Sequence, residues 1–396
     1  MKISTRILLI LCLSFVSFVS QAAIVSRMFE VSQPVLNQER DIRQAAFEQG
    51  FIEVLVRVSG NSQVPTQVDI SRAASFVQQY RYLALEQPAV PAANTGTNDE
   101  PVAKHTLWMQ FNEAAITRLL RDSNLPVWGK QRPNVVIWLA VRDGRNRYVL
   151  KDADMSVIKD AVNREATRRG LPLLWPQYDA KDQQMLGFAD IWGGFWDPVV
   201  QASKRYGADG ILLGRMDWTG GNWQMNWSMW LEEKSDQWTL NAVELDMLIT
   251  SGINIATDQI ASRFAILENT ADEGKLIVQV NGIQHVSSYA RIARYLQSLV
   301  PVKHVFVTNV ERDYVKFHLD LAGGSSDLQR LIALDKTLVP DTAPVPVSTQ
   351  ASQVLAQPQT QAQVPPQSQT QAQVQPQPVV PEQQAALNVL YYKLSR

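Results

Sequence analysis

The stretch "GRMDWTGGNWQMNWSMWL" (residues 214–231) places four tryptophans around a Gly-Gly pair. From Trp223 to Leu231 every odd-numbered side chain is apolar, whereas the even-numbered ones are polar apart from Trp230. This period of two is typical of a half-buried strand, and a Gly-Gly pair favours a two-residue hairpin turn. The sequence therefore predicts a hairpin that directs most of its indoles into a core. The alternative is an aromatic platform that stacks a sugar or a base, for which only Trp230 is suitably placed.

The hairpin belongs to a predicted α/β domain that covers residues 131–270. Before the hairpin, "NVVIWLAV" (134–141) is a nearly continuous apolar run, as expected of a buried strand. The other predicted elements are, in chain order, a helix at 156–169, a strand at 171–175, a helix at 197–206, strands at 209–218 and 238–243, and a helix at 245–267. This order predicts a mixed sheet with helices packed on it.

A separate α+β domain is predicted over residues 23–130. "ERDIRQAAFEQGFIEVLVRV" (39–58) has a broad apolar face and is followed by Ser59-Gly60-Asn61, residues that favour the end of a helix. The other predicted elements are a strand at 24–31, a strand pair at 76–85 and 105–111, and a helix at 112–122.

The third predicted domain covers residues 271–396 and has the order β-α-β-β-α-β. Its elements are a strand at 275–280, a helix at 286–299, strands at 302–310 and 315–321, a helix around 328–332 and a last strand, "LNVLYYKL", at 387–394. This is the ferredoxin-like arrangement, in which the last strand pairs with the first. The predicted fold class is therefore α+β / α/β, with three small mixed-sheet domains.

Residues 340–386 interrupt this third domain and consist mainly of Gln, Pro, Ala and Val, with "QTQAQV" at 359–364 and again at 369–374. Such a segment has too little apolar surface to offset the entropy of ordering it. We therefore expect a disordered Gln/Pro insertion before the final strand.

The first 22 residues have the pattern of a cleavable signal peptide. Lys2 and Arg6 precede an uncharged run at 7–19, and Ser20-Gln21-Ala22 offers a cleavage site near Ala22. The run is too short to span a bilayer, and the sequence offers no other candidate span. The only cysteine, Cys12, lies in this run, so the mature chain would have no disulfide. These features predict a secreted, periplasmic protein.

Charge and motifs argue against several classes of function. Removing residues 1–22 takes away two of the 37 basic side chains and none of the 38 acidic ones, which leaves a net charge of −3. A near-neutral chain without a basic patch argues against nucleic acid as a partner. The common nucleotide, hydrolase and metalloprotease motifs are absent, and the four histidines lack metal-ligand spacing. We therefore predict no catalytic residues, no metal site and no cofactor.

The best candidate for a functional surface is the connection at 175–197, because connections of about twenty residues in a compact domain are often functional. The candidate ligand-binding residues in it are Asp179, Asp182, Asp190, Trp192 and Trp196. Carboxylates beside aromatic rings suit glycan binding or weak glycoside hydrolysis. The alternative is that the aspartates cap helices and the aromatic rings pack the connection onto the domain.

Three stretches resemble the gammaproteobacterial family catalogued as domain of unknown function 2066: "RQAAFEQGFIEVLVRVSGN" (43–61), the segment 179–216, and "GNWQMNWSMW" (221–230). The resemblance spans most of residues 24–340. Within the middle region, "ASKRYGADGILLGRM" (202–216) is similar to TolB-like amino-terminal domains. The resemblance to family 2066 implies a periplasmic protein without an assigned activity and assigns no catalytic residues. The TolB-like similarity points to envelope assembly or adaptor work, as an analogy of fold.

Two hypotheses about function follow from the sequence. The first is a non-catalytic adaptor or assembly factor of the cell envelope that binds a protein partner. The second is a glycan- or peptidoglycan-binding protein, or a weak hydrolase, that uses the connection at 175–197.

Overall fold

The computed structural model describes residues 23–84, 103–268, 274–335, 337–342 and 389–395. The predicted signal peptide and nearly all of the Gln/Pro insertion lie outside the described residues. The fold is α+β with three larger sheets and a two-stranded one, which confirms the predicted fold class. Within the described ranges, no helix is both long and apolar enough to cross a membrane.

The amino-terminal unit is a three-stranded antiparallel sheet of order β2-β4-β3, packed against one long helix. Its elements are β1 (Ala23–Ile24), β2 (Glu30–Val35), α1 (Arg40–Ser59), β3 (Val77–Ala84), β4 (His105–Phe111), α2 (Glu113–Asp122) and β5 (Gln131–Arg132), which pairs with β1. The strand expected at 24–31 starts later, at Glu30, because Arg27 has a φ of 57° and turns the chain. Gly60, with a φ of 72°, ends α1 as predicted.

The middle unit has a sheet of order β11-β10-β9-β6-β7, with β8 paired to β6. Its elements are β6 (Val135–Asp143), β7 (Asn146–Val149), α3 (Val157–Arg169), β8 (Leu173–Leu174), α4 (Ala180–Met185), α5 (Phe188–Gly193), α6 (Trp196–Ser203), β9 (Gly210–Trp218), β10 (Trp223–Leu231), β11 (Lys234–Ala242) and α7 (Leu245–Phe264). Strands β8 and β9 run parallel to β6, and the remaining pairs are antiparallel. Strand β7 and helices α4 and α5 were not predicted from the sequence, because elements of four to six residues carry too little periodic signal.

The tryptophan-rich hairpin has the predicted geometry. Gly220 and Gly221, with φ angles of 78° and 151°, form the turn between β9 and β10. Met225, Trp227 and Met229 are buried in the core below α7, which confirms the predicted apolar face. The opposite face is covered as well, because the Trp230 ring lies 5.4 Å from that of Trp196 in α6. Trp230 is therefore half-buried.

The third unit has a sheet of order β13-β14-β12-β16-β15. Its elements are β12 (Lys275–Asn281), α8 (Val286–Ser298), β13 (Val302–Val310), β14 (Tyr314–Leu321), α9 (Ser325–Asp335), β15 (Leu338–Pro340) and β16 (Val389–Leu394). The last strand pairs with the first, as predicted, but it runs parallel to it. The short strand β15, which was not predicted, pairs antiparallel with β16 at the edge and has the direction that a ferredoxin-like fourth strand would have.

Three buried arginines join the amino-terminal and middle units. Arg132 of β5 donates hydrogen bonds to the carbonyls of Arg57 at 2.6 Å, Arg169 at 2.9 Å and Gly170 at 2.8 Å. The guanidinium of Arg57 bonds the carbonyl of Arg168 at 2.8 Å. That of Arg169 bonds the carbonyl of Gly60 at 2.9 Å. The carbonyls at the ends of α1 and α3 are thereby satisfied across the junction.

Candidate functional site

The connection at 175–197 folds into α4 and α5 and leads into α6. These helices cover the face of the sheet opposite α7 and bury Leu186, Ile191 and Val199 against Trp138 and Leu213. The connection is therefore an ordered layer of the domain.

Asp179 caps α4 and binds Arg205. Its carboxylate accepts the backbone N–H groups of Lys181 and Asp182, both at 3.1 Å. The two guanidinium nitrogens Nη1 and Nη2 of Arg205 approach its oxygens at 2.8 and 3.1 Å, a bidentate pair. These hydrogen bonds lower the pKa of Asp179 to about 2.

Asp182 is fully buried and shares the same arginine. Its Oδ1 accepts from Arg205 Nη1 at 2.9 Å, and its Oδ2 accepts from the Tyr178 N–H at 2.9 Å and from the Tyr206 hydroxyl. Burial and the bond to Asp182 raise the pKa of Tyr206 to about 12. A carboxylate with these partners fixes the connection to the 3₁₀ turn at 204–206, and its oxygens do not face solvent.

Asp190 acts within its own short helix. Its Oδ2 accepts the Gly187 N–H at 2.8 Å, so it closes the first turn of α5. The structure thus brings Asp179 and Asp182 together on Arg205, while Asp190 is engaged elsewhere. The alternative interpretation from the sequence, that the aspartates cap helices, is thus confirmed for Asp179 and Asp190.

The two candidate tryptophans lie half-buried on the same helical layer. Trp192 stacks on Phe188 with ring centroids 5.4 Å apart, and the guanidinium of Arg142 lies 4.7 Å from its ring centroid. Trp196 packs against Trp230. Phe195, between the two tryptophans in sequence, is 59% exposed.

Sequence reasoning missed the ion pair of Arg142 and Asp217, which lies at the carboxyl ends of the parallel strands β6 and β9. In open α/β sheets this edge commonly binds ligands. The register that makes Arg142 and Asp217 neighbours could not be read from residues 75 positions apart. The pair therefore places charged groups beside Trp192.

An open groove of about 670 Å³ runs beside the connection. It is lined by Tyr178 and Gln183 of the connection and by Tyr148, Met155 and Val157, together with the polar residues Lys151, Asp154 and Ser156. Met155 is fully exposed and Val157 is 77% exposed. Among the described residues no group of three or more His, Cys, Asp or Glu side chains has a geometry suited to a metal ion.

Residues 22–129 match the model of a family described as Domain of unknown function (DUF8605). The expected resemblance to family 2066 is therefore wrong, and so is the TolB-like resemblance of the middle region, which lies outside the match. The stretches that suggested them consist largely of an apolar helix with a glycine end and a helix-strand pair, local features that unrelated folds share. Nothing among the curated proteins or the solved structures matches this chain. The chain is thus similar to that family over its amino-terminal unit, and the connection at 175–197 lies outside the matched residues.

Proposed function

We propose that the protein is a secreted, periplasmic, non-catalytic adaptor or assembly factor of the cell envelope that acts through protein–protein contacts. The observation that carries the proposal is the pair of exposed apolar side chains in the groove beside the 175–197 connection, where Met155 and Val157 project into solvent. Secretion is proposed from the pattern of residues 1–22.

The burial of Asp182 and the pairing of Asp179 and Asp182 with Arg205 support a structural role for the connection. A general acid or base must reach the substrate, yet Asp182 is fully buried and is held by Arg205 and Tyr206. Asp179 keeps its charge at neutral pH because its pKa is low, and both of its oxygens bind Arg205. Both groups serve the fold of the connection.

The exposed apolar residues that line the groove support a protein partner. Exposed apolar patches mark interaction sites, and methionine and aromatic residues are enriched in protein interfaces. Met155, Val157 and Tyr148 lie together along the groove, and Met185 of α4 is also exposed. A partner that covered these side chains would gain about 25 cal/mol for each Å² of apolar surface removed from water.

Site-specific photo-crosslinking in cells tests this proposal. A photoreactive amino acid at Val157 should capture one defined protein, and Met155→Glu in the same chain should abolish the product. The matched control is the same probe at Val243, which is 67% exposed and lies between β11 and α7. The proposal fails if Val157 yields no product, or if both positions yield the same products.

Glycan binding is the second candidate, favoured by two features of the connection: Phe195 is 59% exposed, and Trp192 lies beside the Arg142–Asp217 pair. Exposed aromatic rings beside hydrogen-bonding groups can stack sugars. Peptidoglycan fragments should then change the tryptophan fluorescence, and Phe195→Ala and Trp192→Ala should each remove the change. An unchanged spectrum across a broad panel of oligosaccharides would eliminate this candidate.

A further inference from the structure

The two edges of the third sheet differ in how they are protected against pairing with another strand. On one edge, β15 has three residues and ends in Pro340. Short edge strands and proline are common protections of this kind. On the other edge, β13 has nine residues, contains no proline, and has Lys303 as its only Lys, Arg, Asp or Glu. The β13 edge is therefore long and nearly uncharged.

The side chains of β13 are also unusually apolar for an exposed edge. Phe306 is 52% exposed, Val307 38% and Val310 66%. The strand borders a groove of about 410 Å³ between the start of α8 and the β13–β14 hairpin. The groove is lined by Ile283, Val286, Tyr289, Val310 and Val315, together with the polar residues Gln284, His285, Glu311 and Arg312. Strand edge and groove together form a largely apolar surface, as in binding modes where an added strand lies beside a helix.

The charges restrict what this surface can accept. Lys303 is held by Glu268 at 2.7 Å. The other charged groups of this surface, Glu311 and Arg312, lie in the β13–β14 hairpin and not on β13 itself. A charged strand laid along residues 304–307 would therefore lose its hydration without gaining an ion pair from β13. The surface therefore suits an uncharged strand with apolar side chains, and β13 is itself such a strand.

We propose that β13 pairs antiparallel with β13 of a second copy of the chain, across a two-fold axis at Phe306. Val305 and Val307 lie opposite Leu319 and Phe317 of β14, so both face the helices, whereas Phe306, opposite His318, faces the other side. In the pair, Phe306 meets its counterpart and Val305 meets Val307 of the second copy on the helix-facing side.

The same register keeps like charges apart and uses the regular part of the strand. Lys303 lies toward Asn309 of the second copy, well away from the second Lys303. The bulges of β13 fall at the steps from Val302 to His304 and from Val307 to Asn309, so the run 304–307 between them is regular. Its outward main-chain groups would form the central hydrogen bonds. The β13 edge and its groove share no residue with the 175–197 connection, so pairing at this edge is independent of the proposed function.

Sedimentation of the mature chain between about 1 and 200 μM tests the pairing. The wild type should form a dimer as its concentration rises, and Phe306→Lys and Val307→Lys should each weaken the dimer about tenfold or more. Added salt should partly restore it, because salt screens the introduced like charges. The control, Val243→Lys, introduces the same charge at a similarly exposed apolar side chain far along the chain and should leave the dimer intact.

Hydrogen exchange identifies the surface. The amides of residues 304–307 that point outward should exchange more slowly in the dimer than in the monomer, while those of β4 should not change. A wild type that stays monomeric over this range overturns the proposal. So does a dimer that survives Phe306→Lys with unchanged affinity, or one that leaves β13 amides unprotected.

Discussion

Arg132 is a charged side chain placed where three segments of the fold meet. It is fully buried, its guanidinium lies 3.8 Å from the ring centroid of Trp128, and it donates to the carbonyls of Arg57, Arg169 and Gly170. Burial, together with the charges of Arg57 and Arg169, lowers its pKa. Carbonyl groups at the ends of α1 and α3 point to the one guanidinium of Arg132, which thereby links the two helices.

Replacing Arg132 should therefore destabilise the protein strongly. Arg132→Leu removes the donors and leaves buried carbonyls unsatisfied, so we expect the free energy of unfolding to fall by about 3–5 kcal/mol. Urea unfolding followed by circular dichroism measures this. Arg145→Leu, at an exposed arginine next to the β6–β7 turn, should change the value by less than about 0.5 kcal/mol. Equal effects for the two variants would contradict the assignment.

The pairing of Asp179 with Arg205 should make stability depend on acid pH. The pKa of Asp179 is about 2 in the folded protein, against an ordinary value of 3.8, because Arg205 and the backbone bond the charged form. A lowered pKa stabilises the folded state above pH 4, and the contribution disappears as the pH falls from about 4 to about 2. The difference in unfolding free energy between the wild type and Asp179→Asn should shrink over that window.

A double-mutant cycle provides the control for this prediction. In an Arg205→Leu background, the difference produced by Asp179→Asn that shrinks between pH 4 and pH 2 should be clearly smaller, because only the backbone N–H groups then bond the carboxylate. A difference that persists unchanged in that background would mean that helix capping alone, without Arg205, accounts for the low pKa.

At the scale of elements, the periodicity of the tryptophan hairpin predicts which face of the strand is buried, but it does not predict which residue packs against that face. The alternation along β10 was sufficient to predict that Trp227 faces the core. Its neighbour there, Gly252 of α7, was not predictable, because helix and strand approach each other only in the folded chain. A Cβ at Gly252 would overlap Nε1 of Trp227, so the glycine makes room for the indole.

Gly252→Ala should consequently reverse the usual effect of this substitution. Alanine favours a helix over glycine by up to about 1 kcal/mol, but the overlap with Trp227 costs about 1–3 kcal/mol, so the net effect should be destabilising. Thermal and urea unfolding measure it. In a Trp227→Phe background the smaller ring frees the space, and the cost of Gly252→Ala should become smaller. A stabilising Gly252→Ala in the wild type would refute the packing.

In the third unit, likewise, the sequence predicted the last strand and its partner but not the direction of the strand. The apolar character of "LNVLYYKL" predicted a strand, and the order of elements predicted that it pairs with β12. Its parallel direction was not predicted, since side chains alternate with a period of two in either direction. The sequence pattern also does not say which of β15 and β16 pairs with β12 and which forms the edge of the sheet; in the structure β16 pairs with β12 and β15 forms the edge.

For the molecule as a whole, the middle and third units share one apolar core. Phe264 and Ile266 from the middle unit belong to the same buried cluster as Leu328 and Leu331 of α9. At this boundary Arg330 donates to the Arg263 carbonyl at 2.7 Å. Continuous packing of this kind couples the stability of the two units.

Tryptophan fluorescence can measure this coupling, because all eleven tryptophans lie before residue 271. Leu328→Ala in α9 should cost about 2–5 kcal/mol, since Leu328 is fully buried. The denaturation midpoint reported by the tryptophans should fall with it, although no tryptophan lies in the third unit. Val286→Ala, at an exposed position of α8, should leave the midpoint nearly unchanged. A normal midpoint in Leu328→Ala would mean that the units unfold independently.

What the sequence by itself determined are the elements with sustained patterns: the long helices, the longer strands, the Gly-Gly turn and the buried face of β10. These follow from interactions between residues close in the chain, where periods of 2 and 3.6 assign faces to strands and helices. The tertiary structure alone decided the direction of β16, the burial of Asp182 under Arg205 and Tyr206, the carbonyl cluster around Arg132 and the core shared by two units. Each of these depends on groups far apart in the chain, whose meeting no local pattern encodes.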